Sequence, residues 1–338
     1  MLQPSLSLVL GNLKYDSHIM ACQVFLGLLP AINRAIVTLP AAVDISAATG
    51  DDASLEMLSD GDMTLVLTGK IGRIERRFHT TEVMIVDAGH ALARTRTSAT
   101  YEAQDSGKVI RNLAADASVD TSIIDAALPL VNYVASQHAT AVEHIFKLAV
   151  LSGCIAHVTD DGRLQVITRP TGQPDLALLY GREFLNYSAR EVQPAQNQLV
   201  LAGNGPAGNP SEPGAARHSS TMLPANAPAP GPTAHYIPTA LLKTPAAASA
   251  AGQALNTARA ATTVELTARC FLLPQLRPGQ VVQVQGLPAG RPEGPWLVKG
   301  IDHTLKVRTA GKTVVTAELA DLDAFGLGAA LDFVGGLF

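Results

Sequence analysis

Short runs of apolar residues, separated by turn-forming residues, fill the first hundred positions of the chain. Each run is bounded by glycine, proline or aspartate, and the runs lie at 7–10, 19–29, 36–39, 64–69 and 83–86. Runs of this length between such boundaries are typical of β-strands. The pattern predicts a mostly antiparallel β-domain over residues 1–103.

The next segment, residues 104–190, has a mixed pattern. Apolar residues recur at helical spacing over 109–114, directly after the capping candidate Asp105. Thr140 and Glu143 have the spacing of a capping box, which predicts a second helix. Apolar runs on both sides of Asp161-Gly162 predict a β-hairpin over 154–167. We therefore expect a small α+β insert at 104–190.

The remainder of the chain begins with a proline-rich stretch. Residues 204–238 contain eight prolines and only two charged residues, which predicts an extended or disordered loop. Thr244 followed by Pro245 predicts the start of an alanine-rich helix over 244–262. Strands resume after it, so we expect a second β-domain over 191–322 and an apolar tail at 323–338.

The order of turns and strands occurs twice in the chain. Residues 61–87 run through a turn, a strand, a glycine, a second strand, a polar hairpin and a third strand, and residues 278–319 repeat this order. Antiparallel meanders resemble one another, so coincidence is the alternative explanation. The repeat predicts a mainly β fold, in which two similar antiparallel β-barrel domains flank the α+β insert.

Composition excludes several classes of protein. The chain has 338 residues, of which 47% are apolar and 16% charged, and its net charge is −4. The absence of a basic excess argues against specific nucleic-acid binding. No run approaches the ~20 apolar residues of a membrane helix, so we expect no membrane insertion. Cys22, Cys154 and Cys270 are odd in number and far apart, which argues against a disulfide scaffold or a cysteine-based zinc site.

The sequence lacks a convincing catalytic or cofactor-binding motif. Residues 203–208 match G-x-G-x-x-G, but Pro206, Pro210 and Pro213 prevent the helix that must follow a phosphate-binding loop. Asp87 and His90 lie close together, yet no nucleophile completes a triad with them. We therefore predict that the protein is not an enzyme and has no catalytic residues, cofactor or metal site.

Two segments are candidates for contact with partners. A small basic cluster is either a solvated strand edge or a contact for an acidic partner; it comprises Arg73, Arg76, Arg77 and His79. Residues 325–338 of the C-terminal tail carry one charge and are a candidate docking segment, although they could instead pack on their own domain. Its candidate contact residues are Phe325, Leu327, Leu331, Phe333, Val334, Leu337 and Phe338.

The layout resembles the tail hub proteins of contractile phages and related injection systems, also called late control protein D. The resemblance rests on the order and spacing of several segments, and it covers roughly residues 1–200 and 240–322. These segments are Asp60-Gly61-Asp62 to Gly69, Asp87-Ala88-Gly89, the helix and hairpin over 140–167, and Leu276-Arg277-Pro278-Gly279 with the stretch to His303. The proline-rich segment departs from the family pattern.

The resemblance implies a structural function. Such hubs carry two tube-type β-barrels in one chain, so a homotrimer presents six similar barrels and joins a threefold spike to the sixfold tail tube. The implied partners are the tail tube protein, a separate spike protein and other baseplate proteins, in a virion or tail-like particle assembled in the bacterial cytoplasm. The alternatives are a tail-associated cell-wall hydrolase and a cellular β-rich binding module.

Overall fold

A computed structural model describes most of the chain. The described residues are 5–59, 62–192, 198–206, 219–224, 226–229, 234–287, 293–306, 309 and 311–320. The C-terminal tail, including the candidate contact residues from Phe325 to Phe338, lies outside them.

The first hundred residues form strands, as the apolar runs predict. They are β1 (Leu6–Leu10), β2 (Leu13–Tyr15), β3 (Ala21–Gly27), β4 (Arg34–Pro40), β5 (Asp52–Ser59), β6 (Asp62–Arg76) and β7 (Thr80–Val86). Buried and less buried residues alternate along β4, as expected for a strand with one face on the core. We call β1 to β7 the first half.

A small α+β unit follows, and we call it the insert. Its elements are α1 (Gly89–Arg94), β8 (Ala99–Asp105), α2 (Ser106–Asp116), β9 (Thr121–Ile124), β10 (Pro129–Ala135), α3 (Ala141–Leu151), β11 (Cys154–Val158) and β12 (Leu164–Thr168). Asp105 caps α2 by accepting the Lys108 amide at 2.7 Å. Thr140 and Glu143 form the predicted capping box of α3.

The rest of the described chain contains nine strands and a long helix. They are β13 (Leu176–Leu179), β14 (Phe184–Glu191), β15 (Gln198–Pro206), β16 (Ser219–Met222), β17 (Ala234–Pro238), α4 (Pro245–Ala261), β18 (Val264–Phe271), β19 (Val281–Gln285), β20 (Gly294–Lys306) and β21 (Lys312–Leu319). Thr244 caps α4 and Pro245 occupies its first turn, as predicted.

The prediction of a loop over 204–238 is wrong at both ends of that segment. Strand β15 continues to Pro206, and both β16 and β17 pair with it. The prolines that close β15 and β17 stand at strand ends, where a missing N–H group costs little. Residues 203–206 lie on a strand, so they do not form the phosphate-binding loop that their glycines resemble.

One large sheet of 13 strands dominates the molecule. It contains the first half together with β13, β14 and β18 to β21, which we call the second half. Strand β13 and all but the last residue of β14 fall inside the segment 104–190, yet both belong to this sheet. The mainly β fold is confirmed, with a difference: the two predicted β-domains are joined edge to edge.

The two halves have the same strand order. The first half reads β3-β4-β7-β6-β5-β1, and the second half reads β14-β18-β21-β20-β19-β13. All these neighbours are antiparallel except β13 and β19, which are parallel. The fold therefore contains an internal repeat, but not in the predicted alignment: residues 62–76 form the single strand β6, which corresponds to β20, and β5 corresponds to β19. The two copies differ at the sixth strand.

Two main cores support this arrangement. One apolar cluster includes residues of both halves, from Leu6 to Leu319. The second lies in the insert, and Leu201, Leu242 and Ala248 bring β15 and α4 into it. Helix α4 and its neighbouring strands therefore pack on the insert, although in the sequence they lie between β14 and β18 of the second half.

Candidate assembly surfaces

Strands β3 and β20 join the two halves. They pair antiparallel over Ala21–Gly27 and Gly300–Lys306. On the core face the opposed pairs Cys22–Leu305 and Val24–His303 are at most 6% exposed. On the other face, the Gln23 amide donates to Asp302 at 3.2 Å. The joint is thus a continuous stretch of sheet with a buried face and a polar face.

The long strands β6 and β20 are equivalent in detail. The Gly50 amide donates to the Ile71 carbonyl at 2.8 Å, and the Gly279 amide donates to the Val298 carbonyl at 2.9 Å. Both glycines have positive φ, +96° and +89°, a conformation that other residues rarely adopt. One residue after each carbonyl, the ladder to the next strand contains a bulge. Ile71 therefore corresponds to Val298, and Arg73 to Gly300.

The β3–β20 joint uses one strand edge from each half. The equivalent edge in the other half, on β14 for β3 and on β6 for β20, has no strand partner among the described residues. Strand β14 pairs with β18 on one side only and ends the large sheet. On β6, the residues from Arg73 onward pair with β7, while β5 ends its pairing at Lys70. In the second half, the equivalent side of β20 is the one that β3 covers.

Both free edges carry charged side chains. Ser188, Arg190 and Glu191 are exposed on β14. On β6, Glu75 pairs with Arg77 at 2.9 Å and with Arg73 at 3.8 Å. The hydrogen bond from Arg77 and its charge lower the pKa of Glu75, so this carboxylate stays ionised.

Aromatic residues stand close to both free edges. Phe78, at the tip of the β6–β7 hairpin, is 90% exposed. Near β14, the rings of Tyr180, Phe184 and Tyr187 lie 5.5–6.4 Å from one another in edge-to-face arrangements. Large exposed apolar groups beside a free strand edge are typical of a contact surface.

Arg277 links the insert to both halves. Its Nε and Nη2 atoms donate to Asp160 Oδ2 at 3.1 and 2.9 Å. Nη2 also donates to the Leu65 carbonyl on β6, and Nη1 donates to the carbonyls of Pro274 and Leu276. Asp160 therefore does more than form the predicted turn, because it also holds this guanidinium.

Glu318 holds a second contact between the insert and the sheet. Its side chain is 5% exposed and accepts from Arg169 at 2.6 Å. Lys299, on the bulge of β20, lies 3.1 Å from the other carboxylate oxygen. Arg169 also donates to the Leu319 carbonyl at 2.9 Å. Two cations from different parts of the chain thus neutralise one buried carboxylate.

His303 is fully buried at the joint. The Leu273 amide donates to Thr313 Oγ1 at 2.9 Å, and the same hydroxyl shares a hydrogen bond with His303 Nδ1, also at 2.9 Å. Burial and the positive charge of Arg277 lower the pKa of His303 to about 3.

We predict that His303 makes the fold sensitive to acid. The unfolded chain binds a proton at this ring below its ordinary pKa of about 6.5, whereas the folded chain does not until about pH 3. The contribution of His303 to the free energy of unfolding is therefore fully present above pH 6.5, and it is lost as the pH decreases below that value. The loss from this one group between pH 7 and pH 5 is about 2 kcal/mol.

Urea unfolding of wild type and His303→Phe at pH 7 and pH 5 measures this contribution. Burial raises the pKa of Asp87 to about 7, which gives the opposite slope in both proteins, so their difference isolates His303. The variant should lose about 2 kcal/mol less than wild type. His138→Phe, at an exposed position, is the control. Equal losses in wild type and His303→Phe contradict the prediction.

The other candidate residues have structural contacts. Asp87 accepts the Gly89 amide at 2.9 Å and so stabilises the turn into α1, without a contact to the His90 ring among its described hydrogen bonds. His144 lies between the Tyr133 hydroxyl at 2.6 Å and the Ser136 carbonyl at 3.1 Å. In the part of the chain that the structure describes, no three His, Cys, Asp or Glu side chains are grouped to hold a metal ion.

None of the described helices combines the length and the apolar character needed to cross a bilayer.

Comparison with known proteins identifies the fold. Neither a protein-family model nor a curated protein matches the sequence. Solved structures do match, among them a tail protein from Neisseria meningitidis MC58, with a TM-score of 0.69 and 14% identity over 94% of this chain and 96% of that one. The 43 kDa tail protein of prophage MuSo2 from Shewanella oneidensis matches with a TM-score of 0.67 and 13% identity over 93% and 98% of the two chains.

A third similar structure belongs to a secretion apparatus. It is an Escherichia coli component of the type VI secretion system, described as structurally similar to the T4 bacteriophage tail proteins gp27 and gp5. The TM-score is 0.63 and the identity 11%, over 92% of this chain and 76% of that one. The chain has the fold of a phage tail protein.

The tail-protein fold confirms the resemblance noted in the sequence. The sequence did not indicate the surfaces described above, except for the basic cluster of β6, which the structure places on a free strand edge. Strand β14 was missed as an edge because its residues carry only a weak alternation of polar and apolar positions. That β14 corresponds to β3 follows only from a comparison of the hydrogen-bond ladders of the two halves.

Proposed function

We propose that this protein is a structural hub of a phage tail or of a related injection apparatus. In this proposal three copies form a ring that joins a threefold spike protein to the sixfold tail tube, and other baseplate proteins surround it. The particle is a virion or a tail-like assembly put together in the bacterial cytoplasm, and the chain has no catalytic role.

The shared strand order of the two halves carries this proposal. A protein that contacts a sixfold ring needs six similar surfaces, and one chain with two equivalent halves supplies them in a trimer. Three copies also have the symmetry of a threefold spike. Solved tail proteins with the same fold support the assignment to a tail rather than to an unrelated cellular module.

The side chains of the described region also favour a structural role. Ionised and buried polar groups hold parts of the fold together, as Arg277 and Glu318 do. General acid–base chemistry requires titratable groups that converge in a cleft. A role through large protein contacts uses the free edges and exposed aromatic residues instead.

Measurement of the mass in solution tests the proposal. Sedimentation or light scattering of the full chain should give three times the 35.3 kDa mass of one chain. Electron-microscopy averages of that species should show a ring with six similar lobes. A chain that stays monomeric up to high concentration, or that forms closed dimers, contradicts the trimeric hub.

Activity on peptidoglycan is the second measurement. We expect no release of soluble fragments from purified cell walls. Lysis that disappears when a single acidic residue is replaced would instead favour the cell-wall hydrolase.

A further inference from the structure

We propose that β14 of one chain pairs antiparallel with the free edge of β6 in the next chain, in the register of the internal β3–β20 joint. This inference rests on the trimer proposed above, and it specifies which strands form the contact between chains. The partner of each free edge is therefore a second copy of this chain.

The internal joint sets the rule of assembly. Inside the chain, the terminal strand of one half, β3, pairs with the long strand of the other half, β20. The same rule applied between chains pairs the second terminal strand, β14, with the second long strand, β6. Each contact joins two different edges, so the contacts continue around a ring and close when the rotation permits.

The hydrogen-bond ladders fix the register. Val24 on β3 faces Ala35, and the ladders lead from there through Ile85 to Ile71. Ala189 on β14 faces Leu266, and the ladders lead from there through Ala317 to Val298. Because Ile71 corresponds to Val298, Val24 corresponds to Ala189. By the same register, Arg190 corresponds to Phe25 and Glu75 to Asp302. Phe25 and Asp302 are opposed in the internal joint, so Arg190 and Glu75 are opposed in the joint between chains.

The polar face of the proposed joint is complementary in charge. Arg190 stands opposite Glu75, so a cation meets an anion at a directly opposed position. Ser188 corresponds to Gln23, whose amide donates to Asp302 in the internal joint. Opposed charges across a strand pair stabilise it, and like charges destabilise it.

The core face of the joint is apolar in part. Ile74 and Tyr187 both pack at the margin of the main core and are only partly buried in the single chain. Continuing the register one residue past Arg77 places Phe78 opposite Tyr187, beside the rings of Tyr180 and Phe184. A second chain therefore supplies the cover that Phe78 lacks.

A charge-swap experiment tests the register. Arg190→Glu and Glu75→Arg each place like charges at the joint, so each should raise the half-assembly concentration by about tenfold or more. The double variant restores the opposite pair and should recover assembly. Lys147→Glu, at an exposed position of α3, is the matched control and should assemble like wild type.

Engineered cysteines provide a second readout. Opposed residues of antiparallel strands have Cα atoms about 4.5–5.5 Å apart, which suits a disulfide. Glu75→Cys combined with Arg190→Cys should therefore oxidise to covalent trimers on a non-reducing gel. Glu75→Cys combined with Ala189→Cys shifts the pair to opposite faces and should not. The native cysteines are buried and do not compete.

The outcomes separate this inference from the proposed function. A wild-type trimer that both single charge variants leave intact, with no covalent trimer from the cysteine pair, overturns the joint and leaves the hub proposal standing. A wild-type chain that never assembles overturns both. Recovery by the charge swap, together with the covalent trimer, supports the joint.

Discussion

Replacing Glu318 by alanine should lower the free energy of unfolding by about 3–5 kcal/mol. The substitution leaves Arg169 with its side chain 11% exposed and without its carboxylate, and Lys299 loses its partner too. Desolvation of an unpaired guanidinium is costly, since water cannot replace the lost contact inside the fold. The contact between the insert and β21 should weaken with it.

Urea unfolding at a fixed protein concentration, followed by circular dichroism, measures this loss. The control is Asp52→Ala, which breaks an ion pair of similar length, 2.9 Å to Lys70, on the surface. The aspartate is 85% exposed, so its loss should change stability by no more than about 1 kcal/mol. Similar effects of the two substitutions would show that burial does not determine the strength of the Glu318 contact.

Gly69→Ala should destabilise the first half by about 3 kcal/mol or prevent its folding. A Cβ atom at this position would lie 2.0 Å from the Val86 carbonyl oxygen and 2.7 Å from its carbon. These are backbone atoms of the neighbouring strand β7, which cannot move without breaking the ladder between β6 and β7. The glycine allows the two strands to approach at the start of their pairing.

Gly172→Ala is the matched control, because a Cβ atom there meets nothing within 4 Å. It should leave the thermal midpoint within a few degrees of wild type, whereas Gly69→Ala should lower it by about 5 °C or more. A Gly69→Ala protein with the wild-type midpoint would contradict the close approach of the two strands.

Local signals predicted most of the elements. Asp105, Thr140 and Thr244 each cap the helix expected from them, because a cap depends on residues within one turn. The β11–β12 hairpin follows from Asp161-Gly162 for the same reason, and Gly162 has a φ of +85°.

Contacts between distant segments were not predictable in the same way. Gln23 and Asp302 meet across the joint although 279 positions separate them, and no local pattern encodes that meeting. Arg277 reaches Asp160 over 117 positions. The strands at the ends of 204–238 were missed because only the last residues of β15 fall in this segment and both β15 and β17 end in proline, so composition favoured a loop.

The direction of the sixth strand distinguishes the two halves. Strand β1 runs antiparallel to β5, whereas β13 runs parallel to β19. In a closed trimer these directions alternate around the circumference. A neighbouring protein that contacts only the five common strands meets the same strand arrangement every 60° around the ring. A protein that contacts the sixth strand meets the same strand direction only every 120°. In the trimer that we propose, one small difference in topology would let a single ring offer two rotational symmetries to different neighbours.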